Sequence, residues 1–406
     1  MTTKPFSILH ISDLHRSPGA PISNGELISA LVKDRDRYIH EDPSIAVPEA
    51  IVVSGDIIQG IPLNTDNFAT ELNEQYEVAE EFLDELVGRF LEGDRSRLIM
   101  VPGNHDVDWN TARSALESIE VKDIPTDLRA KLYAKDAIFR WAWKTRTLYR
   151  IADPKLYEKR MNAFWTFFDR FYEGVSGLLA GQNPSDVRLF SLCNDRIGVA
   201  AYSSRHGNDC FAFHGMIRRE SVARSYLDQN DSGKMYDLRM AVWHHSIEGS
   251  PYRTDYMDVD VVRGMIGRGF RLGLHGHQHR AQVTPQKICL PDRETMAVVS
   301  AGSLCAGVEE LPMGTPCQYN VLEIAEDFCR VRVHVRAMIV ANLFSRGQFT
   351  ELGGASFAEL SWTPPRNAVG AVINTQARRR RELIDEAEVA ARGGVHLWKL
   401  SLSLAH

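Results

Sequence analysis

The stretch Leu98-Ile99-Met100-Val101-Pro102-Gly103-Asn104-His105-Asp106 sets the architecture of this chain. Four apolar residues in a row read as a buried strand, and Pro-Gly turns it into a loop. That loop carries an amide, an imidazole and a carboxylate at consecutive positions. Four other places repeat the arrangement. Asp13 and His15 follow Ile8-Leu9-His10-Ile11, and Asp56 follows Ile51-Val52-Val53. His244 and His245 follow Met240-Ala241-Val242-Trp243, while His275, His277 and His279 follow Phe270-Arg271-Leu272-Gly273-Leu274. In an open α/β sheet the carboxyl ends of strands are where loops meet a ligand, so these five ends can build one pocket.

Between the strand ends, apolar residues at helical spacing predict helices over 25–38 and 70–91. A strand-helix-strand alternation implies parallel pairing with crossover helices. From about 110 to 181 there is no strand signal, and the segment reads as a helical cap insertion. Its aromatic run Phe164, Trp165, Phe167, Phe168, Phe171 and Tyr172 is more simply the core of that cap than a base-stacking platform. Strand patterns resume at 187–192, 197–203, 239–243, 270–274, 296–300, 318–324 and 329–338, with an antiparallel character expected for this later half. The main domain is therefore expected over 1–338 and a C-terminal extension over 339–406. A short helix near Arg378–Ala391 opens on the basic run Arg378–Arg381, read as a solvated face.

The 406 residues, 44% hydrophobic and 25% charged, describe an ordinary globular protein with one large domain and its insertions. A net charge of -6 argues against a chain whose main task is neutralising a nucleic-acid backbone. Six cysteines without a C-x-x-C pair, spread from Cys193 to Cys329, are expected to be reduced thiols. No apolar stretch reaches membrane-spanning length, and Met1 runs almost directly into the first strand, so a cytoplasmic location is expected, with no membrane association.

The strand ends offer oxygen and nitrogen donors without thiolates, a mixture that suits Mn²⁺, Fe or Zn²⁺ better than Ca²⁺. Asp13 with His15, and His277 with His279, are one residue apart, so on extended chain each pair points the same way. Taken singly, each residue is more simply a turn, a cap or a satisfied polar side chain. In chain order, however, Asp13-x-His15, Gly55-Asp56, Gly103-Asn104-His105-Asp106, His244 and Gly276-His277-x-His279 resemble the signature of the calcineurin-like metallophosphoesterases, over roughly residues 6–338.

The resemblance implies an α/β fold, a four-layer sandwich of two mixed β-sheets flanked by helices. It implies two divalent metal ions, Mn²⁺ first with Fe or Zn²⁺ as alternatives. Asp13, His15 and His279 would bind one, Asn104, His244 and His277 the other, and Asp56 would bridge them. His244 is preferred over His245 because it follows the strand directly. His105 would stand by the substrate, stabilising the transition state or protonating the leaving oxygen, with Asp106 as its neighbour and second catalytic candidate. Arg16 and His245 are expected substrate contacts. The implied activity is phosphoester hydrolysis by in-line attack of a metal-bridging hydroxide, a diester being favoured. The alternatives are a nuclease of the double-strand-break repair kind, a phosphomonoesterase and, more remotely, a non-catalytic binding protein on the same fold. The partner is then a phosphoester, nucleotides and nucleic acids included, and oligomeric state is not specified.

Overall fold

Side chains on a strand alternate between two faces, and in both large sheets of this protein both faces are apolar, so each sheet is covered on both sides. The computed structural model describes residues 4–362 apart from 133, 135, 180–185, 250–254, 288–293, 308 and 341. The first sheet starts with β1 (Phe6–Ile11), β2 (Ala50–Val53) and β3 (Leu98–Met100), which run parallel. Their crossovers carry α1 (Asn24–Arg35) and α2 (Phe68–Phe90). A capping box starts α1, the Ser23 side chain accepting from the Glu26 N–H while the Glu26 side chain accepts from the Ser23 N–H. Along α2 the buried residues Leu72, Tyr76, Ala79, Phe82, Leu83, Leu86 and Phe90 recur at helical spacing.

The next segment corrects the expected helical cap. It contains α3 (Trp109–Ser114), β4 (Leu116–Ser118), α4 (Leu128–Leu132), β5 (Phe139–Ala142), β6 (Thr147–Ile151), α5 (Pro154–Glu158) and α6 (Asn162–Phe171). Strands β4, β6 and β5 form a small antiparallel sheet over a separate core that includes Ala112, Leu116, Ala142, Tyr149 and Tyr157. These strands are three to five residues long and partly exposed, too short for a period to stand out. The last helix leaves the cap altogether. Phe164, Phe167, Phe168 and Phe171 join the main core, with Phe167 stacked on Tyr76 of α2 at 4.9 Å. The aromatic run is core and presents no base-stacking surface.

The second sheet is built from β7 (Val187–Leu192), β8 (Ile197–Tyr202), β9 (Leu238–Val242), β10 (Phe270–His275), β11 (Gln282–Lys287) and β12 (Thr295–Ser300). Its order is β11-β12-β10-β9-β8-β7. The central strands β8, β9, β10 and β12 are parallel, which corrects the antiparallel expectation here, and only β7 and β11 at the edges are antiparallel. Helices α7 (Arg219–Asp231) and α8 (Val259–Ile266) supply the crossovers. Val199, Met240, Leu272 and Val299 enter the core shared with the first sheet, whereas Ala200, Ala241 and Val298 pack with Val222, Val261 and Met265 of the covering helices. The result is helix, sheet, sheet, helix.

The chain then returns to the first sheet with β13 (Gln318–Ile324), antiparallel to β1, followed by β14 (Arg330–Val340), β15 (Leu343–Arg346) and β16 (Phe357–Ser361). The expected domain edge at 338 falls inside β14, and β15 and β16 pair with its two halves. The body therefore continues to Trp362, whose indole N–H donates to the Phe328 carbonyl at 2.9 Å. The helix expected near Arg378–Ala391 lies outside the described residues. Among the described residues, no helix is long and apolar enough to cross a membrane.

One buried ion pair fastens α1 to this sheet. Asp34 accepts from Arg336 Nε at 2.8 Å and Nη2 at 2.6 Å, and from the Tyr319 hydroxyl at 2.5 Å. Without Asp34 the buried Arg336 keeps only Glu41, 2.8 Å from its Nη1, and the Tyr319 hydroxyl loses its acceptor, so Asp34→Ala is expected to lower unfolding stability by ~1–3 kcal/mol in urea titrations. A loss within about 0.5 kcal/mol, the range of surface substitutions, would show that the pair does not hold the helix.

Candidate metal centre

The loops leaving β1 and β2 remain hydrogen-bonded to each other beyond the strands. Asp13 N–H donates to the Gly55 carbonyl at 3.0 Å, and the N–H groups of Leu14 and His15 donate to the Asp56 carbonyl at 2.8 and 3.1 Å. Asp13, His15, Asp56, His277 and His279 all take positive φ, between 46° and 77°. Left-handed backbone is unusual for residues with side chains, and its clustering in these loops marks a place where surrounding structure over-determines the chain.

Two sets of donors result. One ligand atom from each of Asp13, His15, Asp56 and His279 lies within 4.8 Å of the others, and the same holds for Asp56, His244 and His277. Asp56 belongs to both. Asn104 Oδ1 stands 3.0 Å from His244 Nε2 and 2.9 Å from His277 Nδ1, which adds it to the second set. All seven residues expected as ligands are therefore brought together from five strand ends.

The imidazoles are oriented by carbonyls, which can only accept. His244 Nδ1–H donates to the Ser54 carbonyl at 2.8 Å, and His279 Nδ1–H to the Glu310 carbonyl at 3.0 Å. Each neutral ring therefore presents its Nε2 lone pair to the site. His244 Nε2 lies 3.2 Å from Asp56 Oδ2, and His279 Nε2 lies 3.2 Å from Asp13 Oδ1. The Nε2 atoms of His15 and His279 approach to 3.3 Å. So many ligand-type atoms converging on one another fit a divalent cation.

Electrostatics agree. Burial by itself raises Asp13 and Asp56, but the facing His279 and His244 outweigh it and hold both carboxyls well below the usual range. Burial likewise pushes His244 down, and Asp56 overcomes it and carries that ring up to about 9. His15, dominated by burial and by His105 beside it, falls to about 4.

His105 stands at the edge of the two sets. Its Nδ1–H donates to the Gln59 carbonyl at 2.5 Å, and its Nε2 lies 4.0 Å from Asp56 Oδ2. Asp106, expected as its catalytic neighbour, does something else. Its Oδ2 accepts from the N–H groups of Gly103 at 2.8 Å and Ile57 at 3.3 Å, and its Oδ1 from the Tyr76 hydroxyl at 3.2 Å. Asp106 therefore braces the turn that carries Asn104 and His105, and burial, with Asp56 adding to it, lifts its carboxyl to about 7.

The two expected substrate contacts also require correction. Arg16 is fully buried, with Nη2 donating to the Ile22 carbonyl at 2.8 Å and its guanidinium over the Phe82 ring. His245 is fully buried as well, paired through Nδ1 with the Ser204 hydroxyl at 2.8 Å and through Nε2 with the Asn208 amide at 3.3 Å. Neither lines the cleft. Sequence reasoning also missed Ser54, Gln59 and Glu310, whose carbonyls set the imidazole orientations, because a backbone carbonyl leaves no mark in residue type.

The cleft over the donor sets measures about 730 Å³ and is lined by Asp56, Asn104, His105, His277 and His279. Among the described residues its rim carries Glu248, Asp255, Glu309 and Glu310 against one cation, Arg280, which itself lies 3.9 Å from Glu351.

A two-sheet sandwich with paired carboxylate and imidazole clusters at its strand ends is the framework of a metal-dependent hydrolase. The family model for calcineurin-like phosphoesterases matches residues 6–281, and the chain belongs to that family. It is thus a phosphoric ester hydrolase of a family that works with two metal ions. Among solved structures the chain is similar to a dimetal phosphatase from Danio rerio, at 8% identity over 89% of this chain and 100% of that one, with a TM-score of 0.43. It is also similar to GAP50, the anchor in the inner membrane complex of Plasmodium, at 11% identity over 90% of each chain and a TM-score of 0.38. A putative 5'-nucleotidase from Staphylococcus aureus aligns at 12% identity over 89% of this chain and 55% of that one, with a TM-score of 0.37. No curated protein matched the chain.

Gly103 tests how tightly the centre is held. A Cβ there would lie 2.1 Å from Asp56 Oδ1 and 2.4 Å from the Asp56 amide nitrogen. Gly103→Ala is expected to fold, by circular dichroism, yet to retain Mn²⁺ about 10–100-fold less tightly in equilibrium dialysis. Unchanged retention would show that the loop yields instead of Asp56.

Proposed function

We propose that the chain is a phosphodiesterase, with Asp13, His15 and His279 holding one divalent cation, Asn104, His244 and His277 a second, and Asp56 shared. The oxygen and nitrogen donor set suits Mn²⁺, with Fe or Zn²⁺ as alternatives. When bound, two such cations lower the pKa of water and draw negative charge away from the phosphoryl group. Asp56 keeps its carboxylate charged through the opposing histidines. Asn104 contributes an oxygen without charge, so its cation stays strongly electrophilic.

The observation that carries the reading is His105. Its Nδ1–H is committed to the Gln59 carbonyl, and its Nε2 faces the donor sets from just outside them. A ring so held is suited to give a proton to a departing alkoxide, which matters most when the leaving group is poor. The cleft rim supports a diester over its competitors. A monoester carries up to two negative charges and a nucleic acid many, and four rim carboxylates against Arg280 oppose each additional charge. A diester centre brings one. The five described cysteines, all free, accord with a cytoplasmic location.

Bis-p-nitrophenyl phosphate, p-nitrophenyl phosphate, cyclic nucleotides and single- and double-stranded DNA, compared side by side with Mn²⁺-loaded protein, test this. The diester is expected to turn over fastest and chelation to abolish the activity. Faster hydrolysis of the monoester or of DNA would overturn the diester reading. His105→Ala is expected to keep the metals and lose about 10²–10⁴-fold in kcat on a cyclic nucleotide, whose leaving group is a poor alkoxide, and less on the p-nitrophenyl diester, whereas Asp56→Asn loses both. A His105 variant without metals would move that residue into the ligand set.

A further inference from the structure

His105 stands between two cavities. On one side is the cleft with Asp56, His277 and His279. On the other is a cavity of about 300 Å³, lined by Gln59, Gly60, Ile61, Pro62, Val107 and Trp109. Asn104 and His105 line both. The second cavity is built mostly of apolar side chains, in contrast with the carboxylate rim next to it.

Its wall is held in place from two directions. The Gln75 side chain of α2 accepts the Gly60 N–H at 3.0 Å and donates to the Gly60 carbonyl at 3.3 Å. Asn110, beside Trp109, donates to the Pro62 carbonyl at 3.0 Å and accepts the Asn64 N–H at 2.7 Å. The Gln59 carbonyl that orients His105 lies next to Gly60 in the chain, so the His105 ring and the apolar wall share one support. Trp109 extends the wall outward, its ring 6.0 Å from that of Phe213, which is 43% exposed. The volume lies at the lower limit for small-ligand pockets, enough for a ring system and too small for a polymer.

We propose that this cavity seats the leaving group of the diester, and that the group is a flat aromatic or heteroaromatic ring. The proposal rests on the reading of His105 as the residue that faces the leaving oxygen. Proton donor and departing oxygen must lie within hydrogen-bond reach, so whatever that oxygen carries continues past His105 into the cavity that begins there. When the bond from phosphorus to that oxygen breaks, the electron pair stays on the oxygen and takes the His105 proton, while water supplies the oxygen that phosphorus gains and releases to solvent the proton that restores His105. Trp109, Ile61, Pro62 and Val107 favour a ring, since a charged group would lose its water against these apolar side chains, while the unpartnered Trp109 indole N–H leaves one donor for a ring heteroatom.

The test uses the metal-loaded full chain and two diesters with one leaving group, bis-p-nitrophenyl phosphate and methyl p-nitrophenyl phosphate. Trp109→Ala is expected to lower kcat/KM about tenfold for both alike, and Trp109→Phe to restore most of it. Phenylphosphonate is expected to inhibit the unaltered protein about tenfold more strongly than methylphosphonate, a preference that Trp109→Ala erases. Ile61→Ala provides the same readings should Trp109→Ala fail to fold. A loss confined to the bis ester would seat the retained group in the cavity and overturn the assignment. So would equal inhibition by the two phosphonates, or a preference that survives in the variants. Turnover of neither diester would overturn the phosphodiesterase reading itself, and the leaving-group assignment with it.

Discussion

The structure depends on keeping one carboxylate, that of Asp56, buried, charged and fixed. Burying a lone carboxylate is costly, and the protein meets that cost by surrounding it with compensating groups. The His105 N–H donates to Oδ1 at 2.8 Å, and His244 Nε2 faces Oδ2 at 3.2 Å. The residue sits at a positive φ of 49°, reached from Gly55, where a Cβ would come within 2.5 Å of the His244 ring. Gly103 closes the other side. Two glycines therefore serve as the absence of side chains, and β2, β3 and β9 must keep their registers for the arrangement to exist.

Around that carboxylate, orientation is delegated to the backbone. Three histidines at the centre each give one ring proton to a carbonyl, from Ser54, Gln59 or Glu310, the first two on the loop after β2 and the third on the loop before β13. Carbonyls accept and never donate, so the other ring nitrogen is left to the site whatever the surrounding solvent does. Glu310 shows how far this reaches. Its carbonyl orients His279, while its carboxylate takes the Gln59 side-chain amide at 2.7 Å, linking two of the loops that define ring orientation.

The buried polar residues divide into two kinds that residue type does not distinguish. Asp13 and Asp56 face histidines and stay charged, whereas Asp106, with backbone N–H groups and a tyrosine for partners, is pushed up by burial and holds a turn. His244 and His245 are adjacent, yet one ring faces Asp56 and the other is enclosed by Ser204 and Asn208. Both follow the end of β9, and the bend there turns the His244 ring to Asp56 while the His245 ring packs behind that of His277, 4.9 Å away. Arg16 follows the same logic, since its place after the first donor loop leads its long side chain down toward Ile22 and Phe82 and away from the cleft.

The sequence by itself determined the strand ends and the pool of candidate donors, because both are written in local pattern: apolar runs for buried strands, and carboxylates, amides and imidazoles where the runs stop; the choice of seven among them came from the resemblance to the family and not from the pattern. It also determined α1 and α2 and the parallel start of the first sheet. It did not determine the small sheet of β4, β5 and β6, the membership of α6 in the main core, or the extension of the first sheet through β15 and β16, since these short or partly exposed elements are stabilised by contacts with distant segments. The supporting roles were likewise decided only by tertiary structure. Whether Asp106, Arg16 or His245 touches a substrate depends on which way a side chain leaves the backbone and what occupies the space there. Both follow from packing between residues far apart in the chain, and no local pattern carries them.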